Sequence, residues 1–527
     1  MEAPAEYSPE EGWCPVGTPS IVALAVMLAT FMEVLDTTVV NVSLPHIAGS
    51  LAADVDQSTW VLTSYLVSNA IVLPATGWLS SVFGRKRYYM ASVGIFIASS
   101  FLCGLAPSLT SLIVFRVLQG LGGGALQPIS QAVLLECYPR SQRGIGMAIF
   151  GIGVVFAPII GPTLGGWLTD QYSWRWIFYI NVPIGILSLI MSHIYVVDPP
   201  YLQRGVARMD YIGLGLLALS IGSLQIVLDT GQRHDWFQTT WIAQLAVVAI
   251  AGIVVLLIWE LYTEHPILDL RVFAISNYGA GAFLMFMVGV ALYSSGVLQP
   301  LFVQTLLGYT ALLSGLVLSP GGLGTLFFMP IVGKMVDKLN PRYMIMFGFL
   351  LAAVALYKMS QYTLAVSFWQ VAYPRVYLGV GLSFLFVPLA TATFAFVPSE
   401  RTGAATGLFN LLRNLGGSFG IAAATTILAK RAQFHQFRLV ENINPLSQGY
   451  ILWHHNTAST LMAAGQPAGQ ADQLATALAY NTVLTQSSLL SFVDTFWLTA
   501  LLMILLIPMT LLLKKTPVAG QQPTSDE

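Results

Sequence analysis

The sequence predicts an all-α polytopic membrane protein, and three observations support this class. Hydrophobic residues make up 56% of the 527 residues and charged residues only 9%, whereas an ordinary soluble domain carries about a quarter charged residues. Apolar runs of about 20 residues, the length that crosses a bilayer as a helix, recur along the chain. Because lipid satisfies no backbone polar groups, these long runs favour helices over a barrel.

A window of that length predicts fourteen spans. They are expected at 20–44, 58–80, 88–106, 109–134, 144–168, 177–197, 211–229, 240–260, 278–305, 311–332, 343–362, 370–396, 403–429 and 488–513. The acidic first 19 residues do not fit a cleaved signal peptide, which begins with basic residues.

Composition and motifs exclude several functional classes. The net charge is −1, so no general attraction to nucleic acid is expected. The three cysteines, Cys14, Cys103 and Cys137, show neither metal-site nor disulfide spacing. No phosphate-binding loop of the G-x-x-x-x-G-K-[ST] form and no Ser-His-Asp set occurs. We therefore expect no enzyme activity, no metal and no cofactor.

Basic residues near the span ends predict the orientation in the membrane. Fourteen of them fall in one set of loops: Arg85, Lys86, Arg87, Arg140, Arg143, Arg204, Arg208, Arg271, Lys334, Lys338, Arg342, Arg401, Lys514 and Lys515. The other set holds five: Arg175, Arg233, Lys430, Arg431 and Arg438. This asymmetry assigns the first set and both termini (1–19 and 514–527) to the cytoplasm of a bacterial inner-membrane protein.

The chain also repeats itself. A glycine-rich and basic segment from Gly77 to Arg87 has a counterpart from Gly333 to Arg342, 256 residues later. Arg116-Val-Leu-Gln-Gly120 likewise returns as Arg375-Val-Tyr-Leu-Gly379, 259 residues later. Duplicated six-helix halves with a site between them near midplane are a transporter architecture. We expect halves at 20–197 and 278–513, separated by a linker, 198–277, that carries two extra spans.

These repeated segments resemble the cytoplasmic loop motif of the major facilitator superfamily. The resemblance implies a gating role for Gly77, Gly84, Arg85, Gly333, Asp337 and Arg342. The acidic residue usual in the first copy is replaced here by Ser81, whereas the second copy keeps Asp337.

Further motifs narrow the resemblance to fourteen-helix drug:proton antiporters of the EmrB type. Residues 116–124 resemble the fourth-helix motif of proton-coupled members, and 35–45 the first-helix motif of fourteen-helix antiporters. The antiporter motif of the fifth helix falls on Gly153, Gly161, Pro162, Gly165 and Gly166, which also permit close helix packing. Segments 174–183 and 228–236 look specifically like EmrB.

Two carboxylates in the first span are the candidates for proton coupling. Glu33 and Asp36 lie three residues apart on one helix face. A charge at the bilayer centre costs at least about 2.5–3.5 kcal/mol, so these side chains are expected to face a protein interior and to exchange a proton as one coupled unit. Arg116 in the fourth span is the expected partner of this pair. The alternative for each is a purely structural role.

Polar side chains elsewhere in the spans are candidates for binding substrate. They are Arg413, Tyr65, Asn69, Gln119, Gln127, Asn41 and Asn410. Arg413 is suited to an anionic group or to a contact across the central cavity, although packing explains the neighbouring glycines equally well. Arg375, the counterpart of Arg116, follows Pro374 and is a weaker candidate.

The sequence therefore favours secondary efflux of hydrophobic or amphipathic drugs in exchange for protons. The resemblance also implies a periplasmic adaptor and an outer-membrane channel as partners, with the outer loop 431–487 either docking them or forming a disordered linker that includes a short helix at 471–480. Its histidines, His435, His454 and His455, are interpreted as solvated. The alternatives are an exporter dedicated to one metabolite, such as an aromatic acid or siderophore, and a membrane sensor that moves no substrate.

Overall fold

The structure, a computed structural model, is built from α-helices. It describes residues 13–14, 16–199, 210–263, 266–441, 443–444 and 446–514. Most of the two predicted tails, and Arg204, Arg208 and Lys515, lie outside the described residues. The helices are α1 Pro19–Ser50, α2 Val55–Ser58, α3 Trp60–Phe83, α4 Arg85–Leu105, α5 Leu109–Gly123, α6 Leu126–Cys137, α7 Arg143–Gln171, α8 Trp176–Tyr179, α9 Asn181–Tyr195, α10 Tyr211–Thr230, α11 Thr240–Tyr262, α12 Tyr278–Thr305, α13 Ala311–Val336, α14 Pro341–Met359, α15 Phe368–Phe394, α16 Thr402–Val440, α17 Gln448–Ala463 and α18 Ala468–Leu506.

Thirteen helical segments of the described chain are long and apolar enough to cross a membrane. They coincide with thirteen of the predicted spans, and the prediction of an all-α polytopic membrane protein is confirmed. The remaining predicted span, 403–429, lies in α16, which is a continuous helix. Its apolar character is diluted by a stripe of polar side chains, among them Thr406, Asn410 and Arg413.

Helices of each predicted half pack mainly among themselves. In the first half α1 lies against α6, α7 and α9, and in the second half α12 lies against α15 and α16. Four helix pairs make the main contacts between the halves: α7 with α13, α3 with α16, α7 with α15, and α6 with α16. The inserted helices α10 and α11 pack on each other, and α10 also contacts α3 and α16. Helices α3, α6 and α16, which carry the candidate residues Tyr65, Asn69, Gln127, Asn410 and Arg413, therefore line the boundary between the halves.

Within the first half, two spans differ in their course from the sequence prediction. The first helix continues through Pro45 to Ser50. The fourth span is divided into α5 and α6 beside Gly124, at the end of a run rich in glycine, the residue that least favours a helix interior.

The predicted outer loop 431–487 is mostly helical, so the disordered-linker alternative is wrong. Helix α16 continues to Val440, α17 follows, and α18 begins at Ala468, twenty residues before the predicted span. The segment is too polar for a membrane but rich in residues with high helix propensity. Alanines four residues apart, Ala471, Ala475 and Ala479, form its buried face.

The histidine interpretation also needs correction in this region. His435 Nε2 lies 2.6 Å from Asp494 Oδ2 on α18, and Arg431 Nε donates to the same oxygen at 2.6 Å. His435 is therefore paired rather than simply solvated. Sequence spacing missed this contact because the carboxylate lies on a different helix, 59 residues away.

At the predicted cytoplasmic ends, the helices of the two halves approach to backbone distance. A Cβ on Gly77 of α3 would lie 2.7 Å from the backbone of Ala404 on α16. A Cβ on Gly333 of α13 would lie 2.8 Å from the carbonyl oxygen of Gly144 on α7. Glycine is thus required at both contacts, and this side of the molecule is closed.

The remaining residues of the two loop motifs have local contacts at the same end. Arg85, which follows Gly84 at a φ of 84°, forms a buried ion pair with Glu136 at the end of α6. Arg342 donates from Nε to the carbonyl oxygen of Leu513. Asp337 follows α13 and receives a hydrogen bond from the backbone of Gly144.

We expect Gly333→Ala to separate α7 from α13 at the predicted cytoplasmic end, because the added methyl meets a backbone carbonyl, and overpacking of this kind costs about 1–3 kcal/mol. The distance between spin labels at Arg140 and Lys338, in a background without the native cysteines, should lengthen or broaden. Gly94→Ala is the control, since a Cβ there meets no atom within 4 Å. An unchanged distance distribution in Gly333→Ala would contradict this account.

The closed arrangement should also depend on pH through Asp337. Partial burial raises the pKa of Asp337 to about 6, against the smaller opposing effect of the Gly144 hydrogen bond. A raised pKa means that the packed state favours the neutral acid, so its stabilisation is complete below about pH 4 and lost as the pH rises through about 6. The same label pair should report less closure at pH 7 than at pH 5, and Asp337→Asn should remove this difference. Closure that increases with pH would contradict the assignment.

Candidate functional site

The first helix carries both candidate carboxylates into the interior. Glu33 is 3% exposed and Asp36 is 1% exposed. Both lie near the middle of α1, a helix of 32 residues, so neither carboxylate can reach the interface by extending along its helix. Ionised groups buried at this depth require polar partners within the protein.

Asp36 forms an ion pair with Arg116. Arg116 Nη1 lies 2.5 Å from Asp36 Oδ2, and both side chains are fully buried. The other carboxylate oxygen, Oδ1, receives hydrogen bonds from Gln119 Nε2 at 3.1 Å and from Asn181 Nδ2 at 2.8 Å. The predicted contact between Arg116 and a first-span carboxylate is confirmed. Both oxygens of Asp36 therefore have donors.

Arg116 is held in place by groups from three directions. Its Nε donates to the carbonyl oxygen of Val61 at 3.0 Å, and its Nη1 also donates to Gln119 Oε1 at 2.8 Å. The ring of Tyr65 lies 4.2 Å below the guanidinium carbon, a cation–π geometry. Removing one partner of such a buried pair costs about 3–5 kcal/mol, so the pair rigidly connects α1 to α5.

Glu33 has a separate set of partners, all of them neutral. Its Oε1 receives hydrogen bonds from the Tyr65 hydroxyl at 3.0 Å and from Asn69 Nδ2 at 3.1 Å. Its Oε2 receives one from Gln127 Nε2 at 2.5 Å. The expectation that Arg116 serves both carboxylates of one acidic unit is thus wrong. Residues three apart on a helix still diverge by about 60°, and here they meet different neighbours.

A run of glycines brings α3 close enough to supply the Glu33 partners. A Cβ on Gly120 would lie 2.5 Å from the Tyr65 carbonyl oxygen, and one on Gly123 would lie 2.6 Å from the Tyr65 hydroxyl. A larger residue at either position would push α3 outward. The glycines that resemble the fourth-helix motif therefore position Tyr65 and Asn69 against Glu33.

Two hydrogen bonds cross the boundary between the halves at this level. Arg413 Nη2 on α16 donates to Gln127 Oε1 on α6. One turn further along α6, Gln131 Oε1 receives a hydrogen bond from Asn410 Nδ2 at 2.6 Å. The amide of Gln127 thus connects a carboxylate of the first half, Glu33, to a guanidinium of the second half.

Arg413 retains hydrogen-bonding capacity. It is fully buried, yet among the described residues no acceptor lies at hydrogen-bonding distance and angle from its Nε and Nη1. Tyr293 lies beside the guanidinium, and the ring of Phe386 is 5.9 Å from its carbon. Aromatic walls around a charged group with free N–H donors are suited to an amphipathic molecule.

The antiporter motif on α7 forms its contact with the carboxylate-bearing helix. A Cβ on Gly161 would lie 1.9 Å from Thr38 Oγ1, and one on Gly165 would lie 2.9 Å from Val39. Gly153 faces Met27 in the same way, while Pro162 lies within α7 and Gly166 is buried. These contacts fix α1 against α7, the helix that also joins the second half.

Most of the predicted substrate-binding residues lie close to the two carboxylates, but one does not. Gln119, Gln127, Tyr65, Asn69, Asn410 and Arg413 lie around the two carboxylates. Asn41 is exposed and takes no part in these hydrogen bonds. Sequence reasoning did not include Asn181 as a site residue. A single asparagine within the apolar segment 177–197 was the available signal for Asn181.

The described residues include no group of three or more His, Cys, Asp and Glu side chains that could hold a metal ion. The site is instead a set of carboxylate, guanidinium and amide groups connected by hydrogen bonds. Such a set can bind protons and polar parts of a solute.

Two curated proteins are similar to this chain over nearly their full length. It is 38% identical to the multidrug export protein EmrB of Haemophilus influenzae over 482 residues, covering 91% of this chain and 93% of that protein. It is 36% identical to the fatty acid resistance protein FarB of Neisseria gonorrhoeae, covering 94% of this chain and 96% of that protein.

Comparison with solved structures agrees at the level of the fold. The human organic anion transporter MFSD10 superposes with a TM-score of 0.58 at 13% identity, covering 92% of this chain and all of that one. The family model described as Major Facilitator Superfamily matches residues 26–421, well over half of the chain. The chain therefore belongs to the major facilitator superfamily and is a multi-pass membrane transporter similar to the EmrB-type multidrug export proteins.

Proposed function

We propose that this protein exports hydrophobic or amphipathic compounds across the bacterial inner membrane in exchange for protons. The observation that carries the proposal is the chain Glu33–Gln127–Arg413, in which one amide bonds a buried carboxylate of the first half and a buried guanidinium of the second. A change in the protonation or hydrogen bonding of Glu33 therefore alters the hydrogen bond between the halves.

The two carboxylates have different duties in this proposal. Protonating Glu33 leaves only neutral groups in direct contact with it, whereas protonating Asp36 in this arrangement leaves Arg116 buried without a counter-charge. Glu33 is therefore the carboxylate that can take up a proton in the closed arrangement without leaving a directly bonded charge unpaired. Asp36 exchanges its proton only when Arg116 finds another partner, and it acts with Arg116 as the switch between the two access states.

Substrate and proton compete through the same bridge. A substrate group that takes the free donors of Arg413 weakens the Arg413–Gln127 hydrogen bond, and Gln127 is then released from Glu33. Separation of the halves also requires loss of the Asn410–Gln131 hydrogen bond. Alternating access follows if the halves rock apart on one side and close on the other.

The proton gradient supplies sufficient driving force for export. Moving one charge across 100 mV is worth about 2.3 kcal/mol. On a scale of about 1.4 kcal/mol per tenfold, this supports roughly fiftyfold accumulation per proton, before any contribution from a pH difference.

The relatives suggest two ranges of substrate. A multidrug range agrees with the EmrB proteins, and the aromatic walls near Arg413 fit amphipathic molecules. A second candidate is an exporter dedicated to one anionic amphiphile, which the free N–H groups of Arg413 and the FarB relative favour. A membrane sensor would bind such compounds without moving them.

We also propose a periplasmic adaptor and an outer-membrane channel as partners. The helical extension formed by the end of α16, α17 and the start of α18 projects from the predicted outer side. It exposes apolar side chains including Phe437, Leu452 and Leu474. This extension is the surface that we assign to adaptor docking.

Purified protein in liposomes should transport substrate when a pH gradient is imposed, tested with a fluorescent medium-chain fatty acid and a lipophilic cationic dye. We expect Glu33→Gln and Asp36→Asn each to abolish gradient-driven transport, because each removes a protonatable group. Asp36→Asn should also lower the thermal stability, since Arg116 is left uncompensated at a cost of about 3–5 kcal/mol, whereas Glu33→Gln should not.

Asp170→Asn is the matched control, because this carboxylate is well exposed, and it should transport normally. Full gradient-driven transport by Asp36→Asn and Glu33→Gln would exclude these residues as proton carriers. Ligand binding without any flux in the wild type would instead support the sensor. Transport of the fatty acid but not the dye would favour the dedicated exporter.

We expect Arg116→Lys to reduce transport by about 5- to 100-fold, because one ammonium group cannot replace donors that reach Asp36, Gln119 and Val61 together. Initial rates at saturating substrate provide the measurement. Arg401→Lys, at an exposed ion pair with Asp269, should transport normally. Wild-type rates in Arg116→Lys would show that the geometry of the guanidinium is unimportant.

A further inference from the structure

The duplicated halves place a second arginine at the position equivalent to Arg116. Arg116 lies seven residues after the first residue of α5, and Arg375 lies seven residues after the first residue of α15. The helices that they face are also equivalent. Asp36 lies seventeen residues into α1, and Ser295 lies seventeen residues into α12. Both pairs are separated by the same 259 positions.

The structure confirms that Arg375 faces Ser295 as Arg116 faces Asp36. Arg375 Nη2 donates to the Ser295 carbonyl oxygen at 3.0 Å, and its Nη1 lies 3.5 Å from the Ser295 hydroxyl. The second half therefore repeats the arrangement of the first but carries a neutral hydroxyl in place of the carboxylate.

No carboxylate compensates Arg375 among the described residues. Its side chain is 8% exposed, and none of the ion pairs found in the described part of the chain includes it. Its Nε, which in Arg116 donates to a backbone carbonyl, has no hydrogen-bond partner there either. Arg375 thus has the same guanidinium as Arg116, but among the described residues it has no carboxylate partner equivalent to Asp36.

The other groups around Arg375 are neutral. Gln299 Nε2 donates to the carbonyl oxygen of Val371 at 2.8 Å, and the Tyr362 hydroxyl donates to the same oxygen at 2.9 Å. These side chains are fixed by their own hydrogen bonds and bring no negative charge. A guanidinium enclosed by protein stays protonated, and a buried charge requires a counter-charge.

We propose that Arg375 binds a monovalent anion next to Ser295, at the edge of the guanidinium formed by Nε and Nη2. The anion is a free halide or the carboxylate of a small organic acid, received by Nε of Arg375, which has no partner among the described residues, and by the N–H of Nη2 on the same edge of the guanidinium. It fixes α15 against α12 as the Asp36–Arg116 pair fixes α5 against α1. This role is separate from the proposed proton exchange at Glu33 and Asp36.

The test uses the full-length protein in detergent, with chloride as the probe. The melting temperature is measured while chloride replaces gluconate at constant ionic strength. A ligand that binds the folded state raises the melting temperature in a saturable manner, so we expect a rise of a few degrees for the wild type. Chloride-35 NMR line broadening under the same conditions provides a second readout, which is independent of unfolding.

Two variants locate the effect. Arg375→Gln removes the positive charge and should abolish both the chloride-dependent rise and the line broadening. Ser295→Asp restores the carboxylate found in the first half, and should melt in gluconate as the wild type does in chloride, with no further rise. Ser294→Ala is the matched control, since among the described residues the Ser294 hydroxyl hydrogen-bonds only to the Ala291 carbonyl oxygen, and its chloride response should be unchanged.

The two sources of anion are distinguished by a competition arm. Acetate and laurate are added to protein in chloride, and loss of chloride line broadening with acetate shows that the site accepts carboxylates as well as halides. Displacement by laurate but not by acetate assigns the site to an amphiphilic carboxylate. A chloride response that persists in both Arg375→Gln and Ser295→Asp would overturn the proposal, as would a wild type with no response in either readout.

Discussion

The buried ion pair between Asp36 and Arg116 is the interaction on which the site depends. In a membrane interior neither charge can be hydrated, so each charge is stabilised by the other. The pair fixes α1 to α5, and Gln119 and Asn181 then complete the coordination of the carboxylate. With α1 fixed in this rotation, Glu33 points toward α3 and α6 instead of toward the arginine.

Separation of the two carboxylates has a mechanistic consequence. If they shared one partner, the charge on one would be felt directly by the other, and proton binding would be a property of the pair. Here Asp36 is coupled to the helix packing of the first half, whereas Glu33 is coupled through one glutamine to the second half. We therefore propose that a proton on Glu33 changes the boundary between the halves without first disturbing the pair that holds the first half together.

Much of the fold was predictable from the sequence, because the determining signals are local. Apolar runs of a set length define the spans, and the repeated Arg116 and Arg375 segments reveal the duplication. The acidic pair and Arg116 were identifiable because a charged side chain within an apolar membrane helix is energetically costly and is therefore usually functional. Their detailed partners were not. Whether Arg116 contacts Glu33 or Asp36 depends on helix rotation and on the approach of α3, which Gly120 and Gly123 permit.

The structure of the outer segment 431–487, in contrast, was not predictable from the sequence. Its polar composition predicts a segment outside the membrane, but polarity does not distinguish a mobile loop from a water-exposed helix. The contact of His435 with Asp494 joins residues on two different helices. Long-range pairing of this kind leaves no periodic trace in the sequence. In the same way, the equivalence of Ser295 and Asp36 became meaningful only when Arg375 was found facing the serine.

The uninterrupted course of α18 has one more consequence. Residues 468–487 continue the membrane helix outward as a single rod of about 30 Å, at about 1.5 Å per residue. A rod without a hinge acts as a lever arm, so a tilt of about 10° in the second half would sweep its tip through about 5 Å. Arg431 and His435, which hold α16 to the same rod at Asp494, would carry α16 along with it. In the proposed transport cycle, the outer part of α18 would then move relative to the membrane. A partner protein bound to this part of the helix would move with it.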